Sequence, residues 1–225
     1  MPRVAAKSNL KKAKAEMYRS LILEAAEEAF AEHGYDDAKI QDIAAAAGIA
    51  LGTMYTVFPG KAEIYDAVNR LRGEEVLNQI AQRIQGAGGL VDTCLKGIEG
   101  YVRCLANRPN YLRMHLREGL SWTESAVLRS GEQVIAYDRG MELAHGLLRQ
   151  GMENGELVGN DPPELLIKMM IAAHQVQLGD WVARGADEAT IDDLIWRMQD
   201  YFLRAHVTPS HIEAARQGMV RRTAS

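Results

Sequence analysis

Apolar residues along this chain recur three to four positions apart almost from end to end, the period of a helix packed on one face. Ile22, Ala25, Ala26, Ala29 and Phe30 share one face of a first helix predicted from about Glu16 to His33, which Gly34 ends as a left-handed cap. A short second helix, roughly Lys39 to Ala47, takes Asp37 as its N-cap. Gly48 supplies a turn, and a third helix covers about Leu51 to Phe58. Pro59-Gly60 then breaks the chain before a longer helix that starts near Lys61, with apolar positions at Ile64, Val68, Leu71, Leu77, Ile80 and Ile84. Gly73 lies inside this helix and costs it about 1 kcal/mol relative to Ala. It is either a soft point or a tolerated small residue.

Gly86-Ala87-Gly88-Gly89 reads as a linker, after which the helical period resumes. Leu90 to Asn107 forms one segment, and Pro109 opens another that ends near Gly119. A long helix follows with Val134, Tyr137, Met141, Ala144, Leu148 and Met152. The stretch from Glu164 to Val182 is apolar on nearly all sides, the pattern of a helix buried against two partners. The last clear helix sets Ile191, Leu194, Ile195, Met198, Phe202 and Ala205 on one face. The expectation is an all-α protein with a small helical head and a larger helical body.

Composition supports helix, since Ala, Leu, Met, Glu and Arg are plentiful while aromatic residues and proline are sparse. No apolar run approaches the roughly 18 residues of a membrane span, and the first thirty residues lack a signal-peptide core, so the expected compartment is the cytoplasm and no membrane partner is expected. Cys94 and Cys104 sit ten residues apart on one helix, about 15 Å along its axis. They cannot pair within it, and neither belongs to a metal-ligand pattern. The net charge of −4 does not advertise a nucleic-acid partner. The distribution matters more. Arg3, Lys7, Lys11, Lys12, Lys14 and Arg19 crowd the first twenty residues, and Glu24, Glu27, Glu28 and Glu32 offset them on the first helix. DNA binding would require folding to segregate that positive charge onto one face.

Two short helices joined at a glycine form a helix-turn-helix, whose second helix lies in the DNA major groove. Ala44, Gly48, Gly52, Thr53, Tyr55, Phe58 and Lys61, at the spacings they have here, resemble the amino-terminal domain of the TetR family, the tetracycline-repressor-like bacterial transcription regulators. The resemblance implies an N-terminal three-helix helix-turn-helix DNA-binding domain plus a C-terminal helical ligand-binding and dimerisation domain. The parts are then a basic arm over 1–15, the DNA-binding domain over 16–75, the ligand-binding and dimerisation domain over 76–207 and a polar tail over 208–225. The implied partners are a double-stranded palindromic DNA operator, a small-molecule effector and a second copy of the chain, with no cofactor. Repression released by the effector is the implied function.

On that resemblance the DNA contacts fall at Lys39, Gln41, Leu51, Gly52, Thr53, Tyr55, Thr56 and Lys61. A Gln41 amide can bond adenine N6 and N7 bidentately, or be a solvated helix residue. Thr53 and Thr56 carry hydroxyls for phosphate or a base edge. Tyr55 matches a tyrosine that bonds phosphate, and Phe58 reads as core. Lys61 joins an ammonium to a helix amino terminus, and both attract phosphate. Lys39 cannot cap its helix but can reach phosphate. The chain also departs from the pattern. Ala50 replaces a common capping Ser, Leu51 a polar or basic residue, and Thr56 and Val57 stand where Tyr and His are common. Residues 49–58 carry no charge, so base reading rests on Gln41, the threonines and apolar contacts to thymine methyls.

For the body, Met114, Met141, Met169, Met170, Trp122 and Tyr137 are candidates to line an adaptable apolar effector site, or are plain core. His115, His145 and His174 are candidate polar contacts, or satisfied core or surface histidines, and their spacing suits no zinc site. Leu166, Met170, Trp181, Leu194 and Met198 are expected near the dimer contact. An enzyme is not expected. Gly48-Ile49-Ala50-Leu51-Gly52 has the glycines of a nucleophile elbow with Ala in place of the serine, and no phosphate loop or dinucleotide fingerprint occurs. The alternative left open is a helical adaptor whose degenerate head binds protein.

Overall fold

The structure, a computed structural model, describes the backbone of residues 2–118, 132–159 and 161–220 and the side chains of 12–117, 141–159 and 161–220. Among the described residues there are ten α-helices and no strand. They are α1 Pro2–Asp37, α2 Ile40–Ala46, α3 Leu51–Val57, α4 Lys61–Arg83, α5 Leu90–Ala106, α6 Pro109–Glu118, α7 Glu132–Glu153, α8 Pro163–Ala183, α9 Ile191–His206 and α10 Pro209–Arg216. Two compact units divide the chain, Met1–Arg72 and Gly73–Ser225.

Helix α1 begins at Pro2, well before the expected start at Glu16. Residues 2–15 of the basic arm are therefore helical and continuous with the first helix. Its composition accounts for this: Ala, Leu, Lys and Glu dominate residues 5–16, and Pro suits a first helical turn. Gly34 does take a positive φ, 79°, but with ψ 174° it lies in the extended glycine-only region and not in the left-handed helical one. Helical bonding resumes after it to Asp37, and Ala38 N–H donates to the Gly34 carbonyl at 3.3 Å. Asp37 does not cap α2. The N-cap is Lys39, which makes no side-chain cap hydrogen bond.

The first unit buries Ile22, Ala26 and Phe30 of α1 against Ile43 and Ala44 of α2, Met54 of α3, Phe58, and Ile64 and Val68 of α4. Each large side chain removed from water in this way contributes about 1.5–3 kcal/mol. One ion pair lies inside this packing. Arg72 Nε donates to Glu27 Oε2 at 2.6 Å, and both side chains are only 8% exposed.

In the second unit α9 packs on α5 and α8, α7 on α8, and α6 on α5 and α8. Leu95, Val102, Leu105, Leu112, Leu148, Leu178, Leu194, Ile195, Met198, Phe202 and Leu203 fill its core. Gln199 ties the core together, donating to the Leu95 carbonyl at 2.9 Å and accepting from Val220 N–H at 2.9 Å. Two glycines are there for space. A Cβ on Gly100 would come within 3.2 Å of the Gln79 carbonyl on α4, and one on Gly151 would overlap Leu90 Cδ2. Gly73 is different, because a Cβ there would meet nothing within 4 Å. Packing does not demand it.

Two expectations for the body are corrected. The tail beyond Thr208 does not simply fray. Pro209 starts α10, and Ile212, Ala215, Met219 and Val220 pack on the core. The second concerns which residues of the all-round apolar helix α8 stay uncovered in the single chain. Leu166, Ile167, His174, Leu178 and Trp181 face the core, while Leu165, Met169 and Val176 stay exposed, Val176 at 73%. Leu166 and Trp181, with Leu194 and Met198 of α9, are thus interior to one subunit, and Met170 packs against the same core. Leu166, Trp181, Leu194 and Met198 therefore have almost no surface to offer a second copy, while half-buried Met170 keeps some.

Candidate nucleic-acid interface and body cluster

The turn between α2 and α3 is made by Gly48 at φ 67°, after which Ile49 N–H donates back to the Ala44 carbonyl at 3.0 Å. Only glycine takes this backbone without strain. Met54 and Phe58 anchor α3 from below, both buried. That leaves Leu51, Gly52, Tyr55 and Thr56 exposed, Tyr55 at 49%, with Thr53 half-buried. Gln41 and Lys39 are exposed on α2 and its cap. The Thr56 hydroxyl is engaged within its own helix, donating to the Gly52 carbonyl at 2.9 Å, so towards a ligand it can only accept. This disfavours phosphate as its partner.

Residues that the sequence reading left out of the site lie beside α3. An open cleft runs between α1 and α3, lined on one side by Lys14, Glu16, Tyr18 and Arg19 and on the other by Gly52, Thr53, Thr56 and Val57. The Arg19 guanidinium stacks 4.7 Å from the centre of the Phe58 ring, and Lys14 Nζ sits 5.4 Å from that of Tyr18. Burial and then the like charge of Arg70 lower the Arg19 pKa. An arginine stays charged regardless. Helix α1 thereby sets two cations and one carboxylate beside the uncharged residues 49–58. The signal was the unbroken run of helix formers before Glu16, which turns a loose basic arm into a rigid flank.

Lys61 does not point outwards. Its half-buried side chain donates to the carbonyls of Tyr35 at 2.6 Å, Asp36 at 2.9 Å and Ala38 at 3.1 Å, and its ammonium lies 4.7 Å from the centre of the Tyr35 ring. The expected phosphate contact meets a lysine whose three hydrogens are already placed.

In the second unit, Met114 is buried while Met141, His145 and Met170 are half-buried. Trp122 lies outside the described residues, as does the side chain of Tyr137. His174 is buried near a group the sequence reading missed, Tyr101. The two rings lie 5.9 Å apart, and the Tyr101 hydroxyl is 2.8 Å from His115 Nε2. Burial pushes the Tyr101 phenol up, out of any accessible range. His206 at the end of α9 is lowered by burial, and its Nε2 has no hydrogen-bond partner among the described residues. Cys94 is also pushed up, to about 12, by burial and then by Glu156, so it is not a ready thiolate.

His174 is pushed down to about 4, by burial first and the charge of His206 second. The folded state keeps it neutral, whereas the unfolded chain protonates it near 6.5. Stability is therefore full above pH 6.5 and falls as pH drops towards 4, because the unfolded state binds the extra proton. The loss attributable to His174 is on the order of 3 kcal/mol. Denaturant midpoints across this window should fall steeply for the wild type and less for His174→Gln. Parallel profiles would assign the acid sensitivity to other groups.

Residues 22–68, the helices just described, match the family model for bacterial regulatory proteins of the tetR family. Over that segment the chain resembles the DNA-binding domain of the tetR family. The fold of the chain is that of tetR-family transcription regulators, all-α with an amino-terminal helix-turn-helix. A TetR family transcription regulator from Marinobacter aquaeolei VT8 is 22% identical with a TM-score of 0.67, the match covering 87% of this chain and 98% of that one. The fatty acid degradation regulator FadR from Bacillus halodurans is 23% identical with a TM-score of 0.67, covering 82% and 94%. SmeT, the repressor of the Stenotrophomonas maltophilia multidrug efflux pump SmeDEF, is 19% identical with a TM-score of 0.63, covering 92% and 97%. At these identities the likeness shows the fold. No curated protein matches the chain in sequence. Among the described residues no group of three or more His, Cys, Asp or Glu could hold a metal ion, and no single helix is long and apolar enough to cross a membrane.

Proposed function

We propose that this chain is a cytoplasmic, homodimeric transcription repressor of the tetR family that leaves a palindromic operator when a small molecule binds its body. The observation that carries the reading is an exposed recognition helix, α3, flanked across an open cleft by Lys14 and Arg19. Lys14, Arg19, Lys39 and Tyr55 would hold phosphate and set register, while Gln41, Leu51, Gly52 and Thr53 would meet base edges. The division of labour follows from chemistry: phosphate contacts carry no base information, and residues 49–58 have no charge to spend on them. Met114, Met141 and Met170, with Tyr101, His115, His145 and His174, suit an apolar effector with one hydrogen-bonding end. The apolar stripe Leu165, Met169 and Val176 on α8 supports a second copy as partner. Repetition at four and seven residues is the seam of a helical bundle.

Fluorescence anisotropy with duplexes tiling the DNA upstream of the protein's own locus tests the reading. Binding should be sequence-dependent and should weaken steeply with salt, since neutralised phosphates release counterions. A protein that binds none of these duplexes at low salt would leave the adaptor reading in its place.

A further inference from the structure

We propose that Lys61 serves the DNA-binding face as a positioning residue: its ammonium clasps the carboxyl-terminal carbonyls of α1 to the start of α4, so that α2 and α3 are held between two tied ends. The inference rests on the DNA-binding reading above. The last carbonyls of a helix have no partner within it. The glycine-only backbone at Gly34 makes those of Tyr35, Asp36 and Ala38 converge on one point, and Lys61 Nζ sits there with a contact of 2.6–3.1 Å to each. A tetrahedral ammonium has three hydrogens to match three carbonyls, and bonds from a charged donor are stronger than neutral ones. A cation is also favoured at the carboxyl end of a helix. Tyr35 closes the arrangement by offering its ring to the ammonium while packing on Tyr65 at 4.9 Å and Phe30 at 6.1 Å, with Phe30 and Tyr65 5.0 Å apart. The clasp joins residues 38 and 61, and the whole of α2, the turn and α3 lies in the loop it closes. To reach a phosphate the ammonium would have to abandon at least one of these carbonyls.

Three measurements on the full-length protein separate the roles. In the first, the Lys61 ammonium hydrogens, read by nitrogen-15 NMR, should exchange slowly in the free protein. Rapid exchange, as in a solvated lysine, would overturn the clasp. In the second, Lys61→Met should lower the thermal midpoint by about 4 °C or more, and Tyr35→Leu should add little on top of it because both remove one arrangement. In the third, operator affinity is measured on the upstream duplex at a temperature where every variant is folded. Lys61→Met should bind about tenfold more weakly, a step of 1.4 kcal/mol, with the slope against log salt unchanged. A phosphate contact instead predicts a slope reduced by about two for a dimer and an unchanged midpoint, and that result would overturn the proposal. A purely structural lysine predicts a lower midpoint with undiminished affinity once folded, and this too would overturn it. Lys61→Arg sharpens the distinction. Its planar guanidinium is a good phosphate ligand but cannot place three hydrogens on three converging carbonyls. It should fail to restore affinity, and full rescue would count against the clasp. A wild type that binds no duplex overturns the DNA-binding reading alone, because exchange and midpoint still decide the clasp.

Discussion

Glu27→Ala should destabilise the amino-terminal unit by about 3–5 kcal/mol, the usual cost of stripping one partner from a buried ion pair. Both side chains are 8% exposed and the Arg72 guanidinium is held at 2.6 Å, so removing the carboxylate strips a buried cation of a buried acid that faces it. The loss is not the net worth of the pair. Two charges taken from water start with a large desolvation penalty, which their attraction only offsets. Glu27→Met combined with Arg72→Leu should for that reason recover most of the stability. Urea unfolding of the two single variants and the double one checks this. A single-variant loss below about 1 kcal/mol would mean that water reaches the pair and screens it. The pair also has a place in the chain's logic. Arg72 is the last residue of the first unit, and Gly73, where a side chain would meet open space, is the first of the second. A clamp followed at once by a glycine that packing does not require favours the soft-point reading of Gly73.

The head was legible because its signals are local. Gly48, Phe58 and the apolar residues of α1 to α4 each report on their own turn or face, and the structure puts Gly48 at positive φ and Phe58 in the core. The carbonyl contacts of Lys61 were not legible because they lie some twenty-five residues away, and backbone direction leaves no mark on side-chain pattern. The helix over residues 2–15 is written in its helix propensity and not in its charge pattern. In the body, period alone identified the helices but could not orient α8. An all-round apolar helix has no moment to follow, so choosing which apolar residues face outwards needs the packing of α6, α7 and α9 against it. Tyr101 was missed for a related reason, since a lone tyrosine in an apolar segment becomes part of a polar cluster only when His115 and His174 arrive from α6 and α8.

Met169→Glu with Val176→Glu should turn a dimer into a monomer of 24.9 kDa in light scattering, without loss of fold. Both positions are exposed on α8, at 44% and 73%, and glutamate is a good helix former, so the subunit has no reason to object. Across a two-fold contact each glutamate would instead meet its own kind or an apolar surface, and an unpaired charge buried there costs far more than the contact gains. The seam is well placed for a close approach. At the same heptad register as Leu165, Met169 and Val176 lie Ala172, Gly179 and Ala183, small residues that let helices come near. DNA binding should fall with the dimer. Two linked heads gain about 10²–10⁴ in affinity from the high effective concentration of the second, so the monomer should lose that factor on a palindrome and keep its weak grip on a half-site. Leu166→Ala is the control, a change on the same helix facing the core. It should cost about 2–5 kcal/mol of stability through the cavity it leaves, while the mass in solution stays that of the wild type. A wild type that is already a monomer at micromolar concentration would remove the dimer from the proposal. A double glutamate variant that stays dimeric would move the contact off this face of α8.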